Sequence, residues 1–69
     1  METLDELRVR AGLRVNELAD LADVSEATLR KMLRSVPVSG ALVYKVLRVL
    51  SDRLGQDIRA ENVKDIKLL

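Results

Sequence analysis

The chain has 69 residues with neither Cys nor His, which limits it to one small domain and removes the usual zinc ligands, thiol nucleophiles and serine–histidine relays. Its 12 basic and 11 acidic residues nearly cancel, and its single aromatic residue, Tyr44, argues against a base-stacking surface for single-stranded nucleic acid. We therefore expect a single domain over residues 1–69 that is not an enzyme and that takes no metal and no cofactor. No apolar run approaches the ~20 residues of a membrane span, and the absence of cysteine is typical of a cytoplasmic protein.

The charge is unevenly distributed along the chain. Residues 1–25 contain six acids and three bases, whereas residues 26–48 contain one acid and five bases. This basic middle third predicts a surface that faces an anionic partner, although a solvated helix face that binds nothing has the same composition.

The first third of the chain predicts two short helices. Thr3 and Glu6 have the spacing of a capping box, and apolar residues at helical intervals predict a helix over 4–11 that ends at Gly12. A second apolar stripe predicts a helix of about two turns that begins at Val15.

Two further helices follow. Ser25 is a candidate N-cap for a third helix over 26–34, and Pro37 breaks the pattern after it. Ser39 is placed to cap a fourth helix, the longest, whose apolar face continues to Gly55.

The segment 56–69 has a less regular pattern. It predicts a short helical turn at 60–64 followed by a brief strand. Ile66, Leu68 and Leu69 are too apolar for a solvated end, so they either fold back on the core or meet another chain. Because 69 residues give little room to bury them internally, we expect these three residues to form a homodimer interface.

The spacing of the second and third helices predicts a helix-turn-helix over 15–34, since two short helices separated by about three residues are its requirement. Ala19 faces the start of the following helix, where only a small side chain lets the two axes cross closely. On the third helix, Arg30, Lys31 and Arg34 share a face opposite the apolar stripe. Such a face suits the major groove, where guanine offers two acceptors to arginine or lysine.

These features resemble the phage-repressor and Cro-like (XRE-type) helix-turn-helix family over about Leu4 to Gly55. The matching pieces are Arg10-Ala-Gly-Leu13, Glu17-Leu-Ala19, Val24-Ser25, Thr28-Leu29, Val38-Ser39, Tyr44-Lys45-Val46 and Leu50. The resemblance implies an all-α, lambda-repressor-like domain of four to five helices. It also implies sequence-specific binding of double-stranded DNA by a homodimer on an inverted repeat, with 26–34 in the major groove.

The resemblance assigns the DNA contacts as well. Base-reading positions are matched by Glu26, Ala27 and Lys31, with Arg30 adjacent. Phosphate contacts are expected from Arg14, Thr28, Arg34, Ser35 and Lys45. The amino ends of the second and fourth helices add free N–H groups for phosphate, at Val15 and at Ser39–Gly40. A different role stays open for Glu26, which at the start of a helix also stabilises the helix dipole.

Several residues depart from the family pattern. Val15 replaces a glutamine that touches the sugar-phosphate backbone, and Asp23 replaces the glycine of the turn. Leu33 replaces a glutamate that pairs with an arginine of the first helix, which predicts that Arg8 is free to meet phosphate. Leu47 is larger than the alanine common at its position, so the packing of the fourth helix must differ.

We expect a cytoplasmic, nucleoid-associated transcription regulator, either a repressor or an antitoxin-like autoregulator that binds DNA. The alternative is a protein-interaction module on the same scaffold, which the near-zero net charge, Val15 and the acidic second helix favour. Glu17, Asp20 and Asp23 on that helix lack the glycine and the clustered oxygen ligands of a calcium loop. They therefore predict a solvated acidic face.

Overall fold

The computed structural model describes residues 1–69 and contains four α-helices and no strand. The helices are α1 (Leu4–Arg10), α2 (Val15–Ala22), α3 (Glu26–Leu33) and α4 (Gly40–Leu54), followed by a single 3₁₀ turn at Ala60–Asn62. The predicted all-α class is confirmed, and each helix lies where the sequence pattern predicts it. None of the four combines the length and the apolar character that crossing a bilayer requires.

Three helices begin at the predicted capping residues. The Thr3 hydroxyl accepts from the Glu6 N–H at 3.1 Å, and the Glu6 carboxylate accepts from the Thr3 N–H at 2.9 Å, which is the reciprocal arrangement of a capping box. Ser25 caps α3 by accepting from the N–H of Thr28 at 3.0 Å. Ser39 caps α4 through a longer contact of 3.5 Å to the N–H of Leu42, at the outer limit of hydrogen-bond geometry.

All four helices end in the same way, with one residue in the left-handed conformation. These residues are Gly12, Asp23, Ser35 and Gly55, with φ of 73°, 56°, 61° and 66°. In each case the N–H of the next residue reaches back to a carbonyl in the last turn, as in the bond from the Val36 N–H to the Lys31 oxygen at 2.9 Å. This is the Schellman arrangement, and it sets the helix ends.

The left-handed residues explain two small errors in the predicted helix ends. The first helix ends at Arg10 rather than at residue 11, and the third ends at Leu33 rather than at residue 34. Pro37 is therefore not what stops α3, because the chain has already turned at Ser35.

The core consists of 14 buried residues, all of them hydrophobic, and no polar side chain is buried. The helix-turn-helix segment contributes Leu18, Ala19, Ala22, Leu29 and Met32. α2 packs against both α3 and α4, and Ala19, in the middle of α2, is 3% exposed. A small side chain at this position is what the close approach of α2 and α3 requires, as the sequence predicted.

The C-terminal tail, residues 56–69, folds back along the domain and is held at three points. Ser51 on α4 accepts from the Ile58 N–H at 3.0 Å, Val63 is buried beside Glu2, and the Val38 N–H donates to the Lys67 oxygen at 3.1 Å. The predicted brief strand does not form, because each pairing is an isolated bridge between short extended segments. The predicted turn at 60–64 is shorter, at Ala60–Asn62.

The three tail residues assigned to a dimer interface fall into two environments. Ile66 is half-buried and packs against the core of its own chain. Leu68 and Leu69 are exposed. Ile66 therefore folds back on the core of its own chain. Leu68 and Leu69 remain exposed, so only these two residues are accessible to another chain.

Candidate nucleic-acid interface

The outer face of α3 is fixed by what its inner face buries. Leu29 and Met32 point into the core against α1 and α2, which turns the opposite side of the helix to solvent. The exposed residues on that side are Glu26, Ala27, Arg30, Lys31 and Arg34. All four predicted base-reading residues and the predicted phosphate contact Arg34 therefore lie on one accessible surface, which we call the α3 face.

The charges of the α3 face are not all equivalent. Glu26 and Arg30 form an ion pair one helical turn apart, with 2.8 Å between Oε1 and Nη2. Lys31 and Arg34 have no acidic partner within 4 Å, and neither does Arg14 before α2. These three side chains are the cations of the predicted interface that carry an uncompensated charge.

Lys45 on α4 has a loose partner in the turn of the helix-turn-helix. Its Nζ lies 3.8 Å from the Asp23 carboxylate, and Asp23 is almost fully exposed. Exposed pairs of this kind contribute at most about 1 kcal/mol to stability. Lys45 is therefore available to an anion at little cost.

The amino ends of α2 and α4 present backbone donors, as predicted. The N–H groups of Val15 and Gly40 donate to no acceptor in the chain. At α2 the Arg14 N–H differs, because it donates to the Glu17 carboxylate at 2.9 Å. The Val15 side chain packs against the core, so at this position only the backbone faces a potential anion.

The hydroxyl residues among the predicted phosphate contacts are engaged in local structure. The Ser25 hydroxyl donates to the Thr28 hydroxyl at 2.8 Å, and Thr28 is half-buried. Ser35 is also half-buried and occupies the left-handed end of α3. Ser39 caps α4. These hydroxyl residues therefore stabilise the helix ends and turns on either side of the α3 face.

The prediction for Arg8 is wrong. Its guanidinium lies 2.8 Å from the Asp5 carboxylate and donates to the Leu13 carbonyl, also at 2.8 Å. The side chain is 19% exposed. Arg8 thus forms a local ion pair and ties α1 to the loop before α2, so it is not free to meet phosphate.

The acidic residues of α2 and its turn do not form a metal site, because no group of acidic side chains in the structure is arranged to hold an ion. Asp20 and Asp23 are exposed, and Leu21 beside them is 54% exposed. This surface combines negative charge with one apolar side chain.

A groove of about 840 Å³ that the sequence did not predict lies between α4 and the tail. Tyr44 and Arg48 line it from α4, where the Arg48 guanidinium donates to the Tyr44 hydroxyl at 3.0 Å. This bond, together with the nearby charge of Asp52, raises the pKa of Arg48. We call this feature the α4–tail groove. Tyr44 and the apolar Leu68 were its signals in the sequence, and neither indicated that α4 and the tail come together.

Comparison with known proteins gives no match. No protein-family model, no curated protein and no solved structure is similar to the chain. The resemblance to the phage-repressor family therefore rests on the residues of the helix-turn-helix and its flanking helices.

Proposed function

We propose that the chain is a transcription regulator that binds double-stranded DNA with α3 in the major groove. It acts as a cytoplasmic, nucleoid-associated homodimer on an inverted repeat. The observation that carries the proposal is the α3 face, an exposed helix surface on which Lys31 and Arg34 have no acidic partner within 4 Å.

The chemistry of the surrounding residues supports this function. An α-helix fits the major groove, where Arg30 and Lys31 have donors for the two acceptors of guanine and Ala27 suits the thymine methyl group. Arg14 and the Val15 N–H lie at the amino end of α2, where unpaired backbone donors attract phosphate. Contacts to phosphate fix the register, and contacts to base edges give the sequence preference.

The proposal is tested by selecting bound duplexes from a random DNA pool at low and at physiological salt. We expect enrichment of a palindrome with half-sites about 34 Å apart, one helical turn. Retention of DNA at low salt without any enriched sequence would restrict the function to non-specific binding. No retention at either salt concentration would overturn the proposal.

A protein-interaction module is the second candidate, because Leu21 is exposed between Asp20 and the acidic turn at Asp23. An apolar side chain within an acidic surface is suited to a basic protein partner. Salt separates the two candidates, since DNA affinity falls by orders of magnitude as salt rises. If the Leu21→Asp variant binds DNA with unchanged affinity, the surface around Leu21 is not part of the DNA-binding surface.

A further inference from the structure

The α4–tail groove brings together apolar groups that remain exposed in the monomer. Tyr44 of α4 and Leu68 of the tail both line it and are 62% and 52% exposed. Leu69, the next residue in the chain, is 87% exposed. The buried side chains Val43 and Leu47 form its floor. Covering such a surface is favourable in proportion to the apolar area that is removed from water.

The charges around the groove restrict what covers it. The α4 wall carries Arg48 and Asp52, and the tail wall carries Asp57 and Arg59. Each wall thus has one cation and one anion, and the rim has no net charge. A polyanion such as DNA would be repelled by the two aspartates as much as it is attracted by the two arginines. A strongly basic peptide would meet the same balance, so the rim favours neither partner.

A twofold-symmetric contact requires a surface that is complementary to itself. Within one chain Arg48 pairs with Asp52 at 3.8 Å and Arg59 pairs with Asp57 at 3.1 Å, and these side chains are exposed. Two such neutral rims do not repel each other, and the remaining N–H groups of each arginine are free to donate to an aspartate of the other copy. The same chain also contains both an apolar groove and the exposed leucines at the end of the tail. The leucines of one copy can therefore pack into the groove of the other.

We infer that a second copy of this chain covers the α4–tail groove, with Tyr44, Leu68 and Leu69 at the centre and the two Arg–Asp pairs at the rim. The inference deepens the dimer in the proposed function and extends it from the tail to α4. It does not depend on DNA binding. Only Gly40 belongs to both the groove and the predicted DNA contacts, so the α3 face stays uncovered in such a dimer.

The first test is sedimentation equilibrium of the full chain without DNA. We expect a concentration-dependent dimer whose dissociation constant rises at least about tenfold in Leu68→Asp and in Tyr44→Asp, because each places an unpaired charge at the centre of the interface. The matched control is Val9→Asp, at an apolar residue of α1 that is 62% exposed and lies outside the groove, and it should leave the dimer unchanged. Cooperative thermal melting establishes that each variant is folded.

The second test exchanges the rim charges. Arg48→Asp with Arg59→Asp gives an all-acidic rim, and Asp52→Arg with Asp57→Arg gives an all-basic one. Each double variant should be monomeric alone, and a mixture of the two should form a heterodimer. A monomeric wild type, a dimer that Leu68→Asp leaves intact, or rim variants that self-associate like the wild type would overturn the inference. Failure to bind DNA would leave it standing.

Discussion

The carboxylate of Glu26 and the guanidinium of Arg30 lie 2.8 Å apart on the exposed face of α3, at positions i and i+4. Both residues were predicted to read bases, and the structure pairs them with each other. A guanidinium held by a carboxylate has fewer orientations, while its remaining N–H groups are still free to donate. On the proposed function, Glu26 acts chiefly by orienting Arg30.

The Glu26→Gln substitution tests this relationship. The variant keeps the size of the side chain but lacks the charge that holds Arg30, so we expect discrimination at the base pair contacted by Arg30 to fall about tenfold. A good bidentate contact discriminates by about 1–3 kcal/mol. The measurement is competition between the selected duplex and single-base variants of it, with Arg30→Ala in parallel. If Glu26 reads its own base, the two substitutions will alter preference at different base pairs.

Ser35 offers a direct test of how α3 ends. Its φ of 61° lies in the left-handed region, which disfavours residues with a Cβ by roughly 1–2 kcal/mol. Ser35→Gly should therefore raise the free energy of unfolding by about 1 kcal/mol, since the gain exceeds the added flexibility of glycine. Urea denaturation measures the change. Ser39→Gly is the matched control, because Ser39 is an N-cap with φ −60° and gains nothing from glycine.

Acid should weaken the start of α1. The N–H and the hydroxyl of Thr3 lower the pKa of Glu6 below its ordinary value of 4.5. Because the folded pKa is the lower one, the stabilisation is complete above the ordinary value and is lost as pH falls through the folded pKa. The stability difference between wild type and Glu6→Gln should therefore shrink as pH falls through this range in urea denaturation. Glu61→Gln, at an exposed residue, is the control. A pH-independent difference would contradict the assignment.

Ser51 connects α4 to the tail, and its removal should loosen the tail selectively. Its hydroxyl accepts from the Ile58 N–H at 3.0 Å and lies 3.4 Å from the Ile58 carbonyl. Ser51→Ala should lower the free energy of unfolding by about 1–2 kcal/mol, with faster hydrogen exchange at Ile58 than in α2. Equal acceleration in both places would mean that Ser51 stabilises the domain as a whole.

The helices were predictable because their signals are local. Thr3, Ser25 and Ser39 each mark a start within one turn of the bonds they form, and Gly12 and Gly55 mark two of the ends. Ser35 gave no such signal, since serine seldom adopts the left-handed conformation, and Pro37 offered a more obvious stop.

The tail and the groove were not predictable, because they depend on residues far apart in the chain. Nothing in the local pattern associates Ser51 with Ile58, or Val38 with residues 67–69, yet these bonds fold the tail back along α4. Arg8 is a different case, because the signal was local and was missed. Leu33 suggested a free cation at Arg8, whereas Asp5, three residues earlier on α1, pairs with it.

The salt dependence of DNA binding by matched charge variants tests the central claim most directly. Arg14 and Arg34 are exposed, have no acidic partner within 4 Å and are assigned to phosphate, whereas Arg53 and Lys64 are equally unpaired but lie outside the predicted interface. Each lost phosphate contact should reduce the slope of log affinity against log salt by about 0.9. We predict a reduction of about 2 for Arg14→Ala with Arg34→Ala and none for Arg53→Ala with Lys64→Ala. Equal slopes for the two double variants would contradict binding through the α3 face.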